Sequence, residues 1–417
     1  MKIIYEATVI ANAYSKRNLN SKTGVFRVAQ QILENLKNKD CEIALASTDG
    51  LPALMSFLEK NDFRCVNSKK SQRKAKFLKP LFSLIPKSNF VEEGIRFAYW
   101  KSGLYSINSY QYDANELKKY DLFHSPFHPI PTKILERNSI KKLITIHDLI
   151  PKILPEYLGG SNSIRMNKTL NGIDEETFVS CVSESAKNDL LSHHPKVNPA
   201  RVSVIPLAAD STIFYHEKDQ SRIKNVLKKY QIDNEKPYFL LVSTLEPRKN
   251  INRTIRAFAK LIEQENLKDL QLVLVGSEGW KIGKLFDSLK ANKSLKKQVV
   301  ITGFVEDEDL AAIYSGALGF AYPSLYEGFG LPPLEAMQCG VPVITSDNSS
   351  LPEVVGEAGL LVNAKDEDAI AESMLKLYKN TDLRADLANK SLIQAQNFSW
   401  QKFKEDYWSL YNEILEN

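Results

Sequence analysis

From residue 238 to residue 362, short apolar runs alternate with stretches long enough for helices, and this alternation restricts the fold more than any other property of the chain. The run 238–243 reads as a buried strand, followed by a helix over about 252–265. Residues 270–275, 299–302, 318–322, 341–345 and 359–362 read as further strands, with a helix over 307–315. Strands apolar along their whole length are buried on both faces, which predicts a parallel sheet covered by helices. Ligands in such sheets bind beyond the carboxyl ends of the strands. The first half alternates more loosely. Strands are predicted at 2–9, 42–46, 122–124, 143–146, 178–182 and 202–206, with helices starting after Gly24 and covering 184–191. Residues 210–236 are polar and read as a linker with a short helix.

One strand end carries an unusual string, Ser324-Leu-Tyr-Glu-Gly-Phe-Gly-Leu-Pro-Pro-Leu-Glu-Ala-Met337. Glu327 falls in the turn after the strand, and Gly328, Phe329 and Gly330 follow. Pro332 and Pro333 suit a first helical turn, and Gly340 suits its end. A glycine-flanked turn feeding a helix start presents free N–H groups and a positive dipole end, which suits phosphate. Two carboxylates flank it, Glu327 and Glu335. Beside a phosphate site they make sense as acceptors for sugar or ribose hydroxyls.

A lone Gly-x-Gly would make only a turn, but the whole string resembles the signature of glycosyltransferase family 4. That resemblance implies a GT-B fold, an α/β architecture of two Rossmann-like domains whose parallel sheets face each other across a cleft. Residues 1–208 would form the acceptor domain and 209–399 the nucleotide-sugar domain. A C-terminal helix would cross back, and 400–417 fits it: Trp400, Phe403, Tyr407, Leu410, Tyr411 and Ile414 recur at helical spacing. Within the family the first glutamate lies by the donor sugar and the second binds the ribose. The turn amides contact diphosphate and sugar. Those roles pass to Glu327, to Glu335 and to Gly328, Phe329, Gly330 and Leu331.

Three further strings fit the resemblance. Ser243-Thr-Leu-Glu-Pro-Arg-Lys-Asn250 is similar to a branch of the family in which basic side chains reach the diphosphate. Arg248 and Lys249 are the candidates, because fixed cations must stabilise a leaving diphosphate if no metal does. Many family members carry an additional Arg just after the strand, where Ser243 and Thr244 stand here, and Arg248 could replace it. Asn250 suits a helix cap. His147, in Thr145-Ile-His147-Asp-Leu-Ile-Pro151, matches a histidine at the cleft floor, whose side chain or carbonyl would stabilise positive charge on the anomeric carbon; Asp148 would brace the loop. Gly24, in Thr23-Gly24-Val-Phe-Arg27, opens a helix whose N–H groups would approach the donor or acceptor. Ser183-Glu-Ser-Ala-Lys187 also fits the family.

The length of 417 residues suits two domains of roughly 200 residues each. The start, Met1-Lys-Ile-Ile-Tyr-Glu6, reads as a strand and not as a signal peptide. No run reaches the ~18 apolar residues of a membrane span. Cys41, Cys65, Cys181 and Cys339 lack metal-ligand spacing and suit reduced thiols in a cytoplasmic protein. The acidic strings Glu306-Asp-Glu-Asp309 and Asp366-Glu-Asp368 sit at predicted helix starts and read as caps, so neither a metal nor another cofactor is expected. Residues 64–101 hold ten Lys or Arg against two acids, interleaved with apolar and aromatic residues. That mixture suits an anionic membrane surface or a solvated basic face. No motif supports nucleic-acid binding.

The expected activity is retaining transfer of a sugar from a nucleoside diphosphate to a glycan or lipid-linked acceptor. The Glu-Pro-Arg-Lys-Asn branch includes bacterial mannosyltransferases of surface polysaccharides, which points to GDP-mannose. A UDP-sugar-dependent transferase, a sugar-nucleotide epimerase, a phosphorylase and a catalytically silent assembly partner stay open as alternatives. Incubation with donor alone would expose an epimerase.

Overall fold

The computed structural model describes residues 1–14, 24–48, 50–83, 111–158, 160–276 and 293–416. Its strands form two sheets, parallel throughout. The first contains β1 (Lys2–Glu6), β2 (Glu42–Ala46), β3 (Arg64–Cys65), β4 (Leu122–Ser125), β5 (Lys141–Ile146), β6 (Phe178–Cys181) and β7 (Val202–Val204), in the order β3-β2-β1-β4-β5-β6-β7. The second contains β8 (Tyr238–Val242), β9 (Gln271–Val275), β10 (Val299–Gly303), β11 (Gly319–Tyr322), β12 (Val343–Ser346) and β13 (Gly359–Val362), in the order β10-β9-β8-β11-β12-β13. Both orders reverse once, between β1 and β4 and between β8 and β11. Such a reversal opens a crevice at the carboxyl ends of the two strands beside it.

Burial explains the composition of the strands. β4, β6, β9, β11 and β12 are buried at every position, so their side chains are covered on both faces. The helices that cover them are amphipathic. In Ile251–Gln264, for example, Ile251, Ile255, Phe258, Leu261 and Ile262 form the buried stripe.

Local chemistry moves several boundaries. The strand expected at 2–9 stops at Glu6, and Thr8–Ala13 is a helix. There the Glu6 carboxylate accepts the Thr8 N–H at 3.3 Å and the Thr8 hydroxyl, which turns the chain out of the ladder. The strand expected at 341–345 begins only at Val343, after Pro342, which has no N–H to give to a neighbour. The two-residue β3 is too short to show in a sequence pattern.

The helix Trp400–Glu416 crosses back onto the first sheet's helical layer. Asn35, on the helix Gly24–Lys37, donates to the Lys404 carbonyl at 2.7 Å. The Tyr411 hydroxyl lies 2.7 Å from His124 Nδ1, and the Tyr407 hydroxyl lies 3.0 Å from Thr145 and 2.9 Å from Ser180. His124 is fully buried, and burial pushes its pKa down to about 3. The crossing helix is thus anchored by neutral hydrogen bonds into the middle of the first sheet. Among the described residues no helix is long and apolar enough to cross a membrane.

Candidate active site

The two loops singled out in the second half leave the strands on either side of its switch point. Residues 243–250 follow β8, and 323–330 follow β11. They meet at Glu327, which is only 7 % exposed. Lys249 Nζ donates to both of its oxygens, at 2.8 and 3.0 Å. Arg248 Nη1 reaches Oε1 at 3.0 Å, the Ser324 hydroxyl donates to it at 2.6 Å, and the Tyr322 hydroxyl does so at 3.0 Å. Burial opposes ionisation of Glu327, but Arg248 and Lys249 outweigh it and hold the carboxyl at about 2. Burial and the neighbouring Arg248 lower the Lys249 pKa, partly offset by Glu327.

Arg248 is buried as well. It donates to the Tyr326 carbonyl at 2.6 Å and to Glu246 at 2.6 Å, while its Nε–H has no partner among the described residues. Lys249 also donates to the Tyr322 hydroxyl at 2.6 Å, so its three ammonium hydrogens are matched by three acceptor atoms. Both expected cations therefore converge on Glu327, and the Arg248 Nε–H is the donor left free. Ser243 Oγ is likewise buried without a partner among the described residues, whereas Thr244 is exposed. Asn250 occupies the position before its helix but does not cap it. At φ 61° its backbone is left-handed, and its amide donates instead to Pro323 O at 2.8 Å and Ala364 O at 2.6 Å, tying the two loops together.

The glycine turn is held by its carbonyls. Ser350 Oγ lies 3.0 Å from Glu327 O and 2.6 Å from Phe329 O, and the Ser183 hydroxyl donates to Gly328 O at 2.7 Å. In a trans peptide the next N–H points opposite to each carbonyl. Anchoring these three carbonyls therefore fixes the N–H groups of Gly328, Phe329 and Gly330. Those three amides and that of Leu331 make no hydrogen bond among the described residues. They precede the helix Leu331–Gln338, whose Pro332 and Pro333 have no N–H.

Glycine is required at both ends of this turn. Gly330 has φ +111°, and a Cβ there would lie 2.9 Å from Leu351. A Cβ on Gly328 would lie 2.0 Å from the His147 carbonyl oxygen and 2.9 Å from Asp148 Cβ. The turn thus rests directly on the end of β5 in the first sheet. The Phe329 ring is edge-on to Phe398, at 5.7 Å between centroids.

Glu335 stands one turn into the helix and is 7 % exposed. It accepts from Tyr314 at 3.2 Å and pairs with Arg27 of the helix Gly24–Lys37 at 3.3 Å. Burial raises its pKa, which Arg27 and Tyr314 partly offset. A Cβ on Gly24 would lie 3.2 Å from Leu331, so the start of the helix Gly24–Lys37 meets the start of the donor-turn helix.

His147 Nε2 lies 2.8 Å from the Pro126 carbonyl. A carbonyl only accepts, so Nε2 carries the proton and Nδ1 keeps its lone pair. Burial lowers the pKa to about 4 despite that hydrogen bond, leaving the ring neutral at physiological pH. Asp148 accepts the Ile150 N–H at 2.9 Å and braces the following turn.

The acidic strings do structural work. Asp366 caps Glu367–Lys379 through the Asp368 and Ala369 amides. Glu306 makes no side-chain cap, but Asp309 pairs with Lys229 at 2.6 Å and with the Tyr230 hydroxyl at 2.8 Å. Within 64–101, the helix Lys69–Ser83 exposes Lys69, Lys70, Arg73 and Lys76, and residues 84–101 lie outside the described residues.

Ser349, Ser350, Tyr322, Tyr314 and Arg27 also hold the site, Ser349 by accepting the Glu327 N–H at 3.1 Å, and none of them was singled out in the sequence. Tyr322 and Ser324 flank the strand end beside the motif, which was a usable signal.

Residues 222–392 match the family model of the group 1 glycosyl transferases. Over 283 residues the chain is 35 % identical to the O-antigen chain mannosyltransferase B of Escherichia coli, covering 67 % of this chain and 71 % of that protein. Over 266 residues it is 33 % identical to the serotype-specific mannosyltransferase WbdA of Escherichia coli, covering 62 % of this chain but only 32 % of that much longer protein. In three dimensions it is similar to WaaG, a glycosyltransferase involved in lipopolysaccharide biosynthesis, with a TM-score of 0.63 and 16 % identity over 98 % of both chains. The paired parallel sheets and crossing helix are the GT-B fold, and the chain belongs to the group 1 glycosyl transferases.

Proposed function

We propose that this glycosyltransferase moves a mannosyl group from GDP-mannose to a glycan or lipid-linked acceptor in surface-polysaccharide assembly, with retention and without a metal. One observation carries the site assignment. Four amides unpaired among the described residues, from Gly328 to Leu331, adjoin a carboxylate held ionised by two cations. The mannosyl assignment rests on the two mannosyltransferases to which the chain is similar.

In this reading the turn amides and the Arg248 Nε–H receive the diphosphate. Glu335 accepts from the ribose hydroxyls, taking them in place of Arg27. Glu327 accepts from the sugar hydroxyls and keeps Lys249 and Arg248 in place. The bond from the anomeric carbon to the diphosphate oxygen breaks as the acceptor oxygen forms its bond on the same face. The acceptor proton passes to the departing phosphate oxygen. Positive charge on the sugar is met by the His147 carbonyl, packed under Gly328, or by the Nδ1 lone pair of its neutral ring. Negative charge on the diphosphate is met by fixed donors already in place. Asp366 caps a helix and Asp309 is held by Lys229 and Tyr230, which supports metal-independent chemistry.

A thermal-shift series with GDP, UDP, ADP and their sugars tests the donor, because a ligand bound only to the native state raises its stability. A shift with GDP and GDP-mannose is expected. A shift with UDP compounds alone would overturn the donor assignment and leave the site assignment standing.

A further inference from the structure

Three contacts at one edge of the cleft join the helix Glu184–His193 of the first half to the donor side. The Glu353 carboxylate accepts the Glu184 N–H at 2.8 Å and the Ser185 N–H at 2.6 Å. The Ser183 hydroxyl accepts the Ala186 N–H at 3.0 Å while donating to Gly328 O at 2.7 Å. The Tyr326 hydroxyl donates to Asp189. The first amides of a helix have no intrahelical acceptor. Here Ser183 satisfies one of them, and two others take a carboxylate from the opposite half of the molecule. The cap is therefore complete only when the two halves meet.

The same edge is loosely packed. A cavity of about 520 Å³ lies alongside, walled by Ser183, Glu353, Pro206, Phe329, Phe398 and Leu410. Close-packed apolar interfaces resist opening, whereas a few polar contacts beside open space can separate and reform.

The contact also reaches the donor turn. Gly328 precedes the peptide whose carbonyl Ser183 holds, and glycine lets that peptide rotate easily. A rotated peptide would present the negative carbonyl where the Phe329 N–H now points. We propose that Glu353 and Ser183 form a closure latch. Glu353 docks the donor half onto the helix Glu184–His193, and Ser183 then locks the Gly328–Phe329 peptide with its N–H set for the donor. Both are positioning residues. The effect on turnover rests on the sugar-transfer reading, whereas the docking itself does not.

Two readouts test the latch on the full chain. Small-angle X-ray scattering compares wild type with Glu353→Ala and Glu353→Gln, and a larger radius of gyration is expected for Ala than for Gln. Steady-state kinetics compares Ser183→Ala with Ser183→Thr. Ser183→Ala should lower kcat about ten- to hundredfold with the donor KM within about twofold, since a small misplacement is costly to turnover. Ser183→Thr keeps the hydroxyl and should recover most of the rate. If Glu353→Ala does not fold, the Glu353→Gln comparison decides. Wild-type scattering in both Glu353 variants, or equal kcat in the two Ser183 variants, would overturn the latch. If wild type transfers no sugar, the proposed function fails while the scattering still judges the docking.

Discussion

The two oxygens of Glu327 share one Lys249 ammonium, at 2.8 and 3.0 Å, and the Arg248 guanidinium reaches the same carboxylate at 3.0 Å. A carboxylate this deeply buried stays ionised only because two cations surround it. The two loops beside the switch point are therefore bound together by charge at the place where the donor is expected.

That pairing predicts a pH dependence of stability. The Glu327 carboxyl falls from 4.5 to about 2 on folding. Its contribution is fully present above about pH 4.5 and is lost as pH falls through about 2. At ~1.4 kcal/mol per unit this amounts to about 3 kcal/mol. Glu327→Gln should abolish that acid-range loss and should cost about 3–5 kcal/mol at neutral pH by leaving two cations less well paired. Denaturant melts of both proteins at pH 7 and pH 3 check this, and equal losses on acidification would contradict it.

Gly328→Ala should lower turnover about a hundredfold while both sheets fold. Its Cβ would meet the His147 carbonyl oxygen at 2.0 Å, so the two halves must move apart by more than an ångström. A misplacement of that size costs about a hundredfold in rate. Circular dichroism would show the fold retained, and wild-type turnover in this variant would place the reaction elsewhere.

Glu335→Ala should weaken GDP binding. Each hydrogen bond from a ribose hydroxyl to the carboxylate is worth about 1.5–3 kcal/mol. Titration calorimetry with GDP provides the comparison, and equal affinity in both proteins would remove Glu335 from the site.

Lys69, Lys70, Arg73 and Lys76 are exposed on one short helix. With about 1 kcal/mol from each cation near an anionic surface, they should give reversible binding to anionic liposomes that high salt removes. Changing all four, together with Lys74, to Glu should abolish it. Wild-type protein left in the supernatant at low salt would make this a solvated face.

The fold was legible because its strands are covered on both faces, so apolar runs such as 271–275 stand out between helices. The site was legible where the chemistry is contiguous: Glu327, the glycines and Glu335 lie within nine residues. It was not legible where partners come from distant segments. Arg27 meets Glu335 across more than 300 positions, and Ser183 meets Gly328 across 145. Asn250 shows a second limit. Its position suggested a helix cap, but a left-handed backbone turned its amide onto two carbonyls that only the folded loops bring near.

Transfer from labelled GDP-mannose in saturating EDTA, by wild type and Lys249→Ala, measures whether the protein moves mannose without a metal. Wild type should transfer mannose at a rate that chelation does not affect. Lys249→Ala leaves Glu327 with one cation instead of two and should lower turnover about tenfold or more. Wild-type rates in purified, folded Lys249→Ala, or activity that EDTA removes and magnesium or manganese restores, would contradict it.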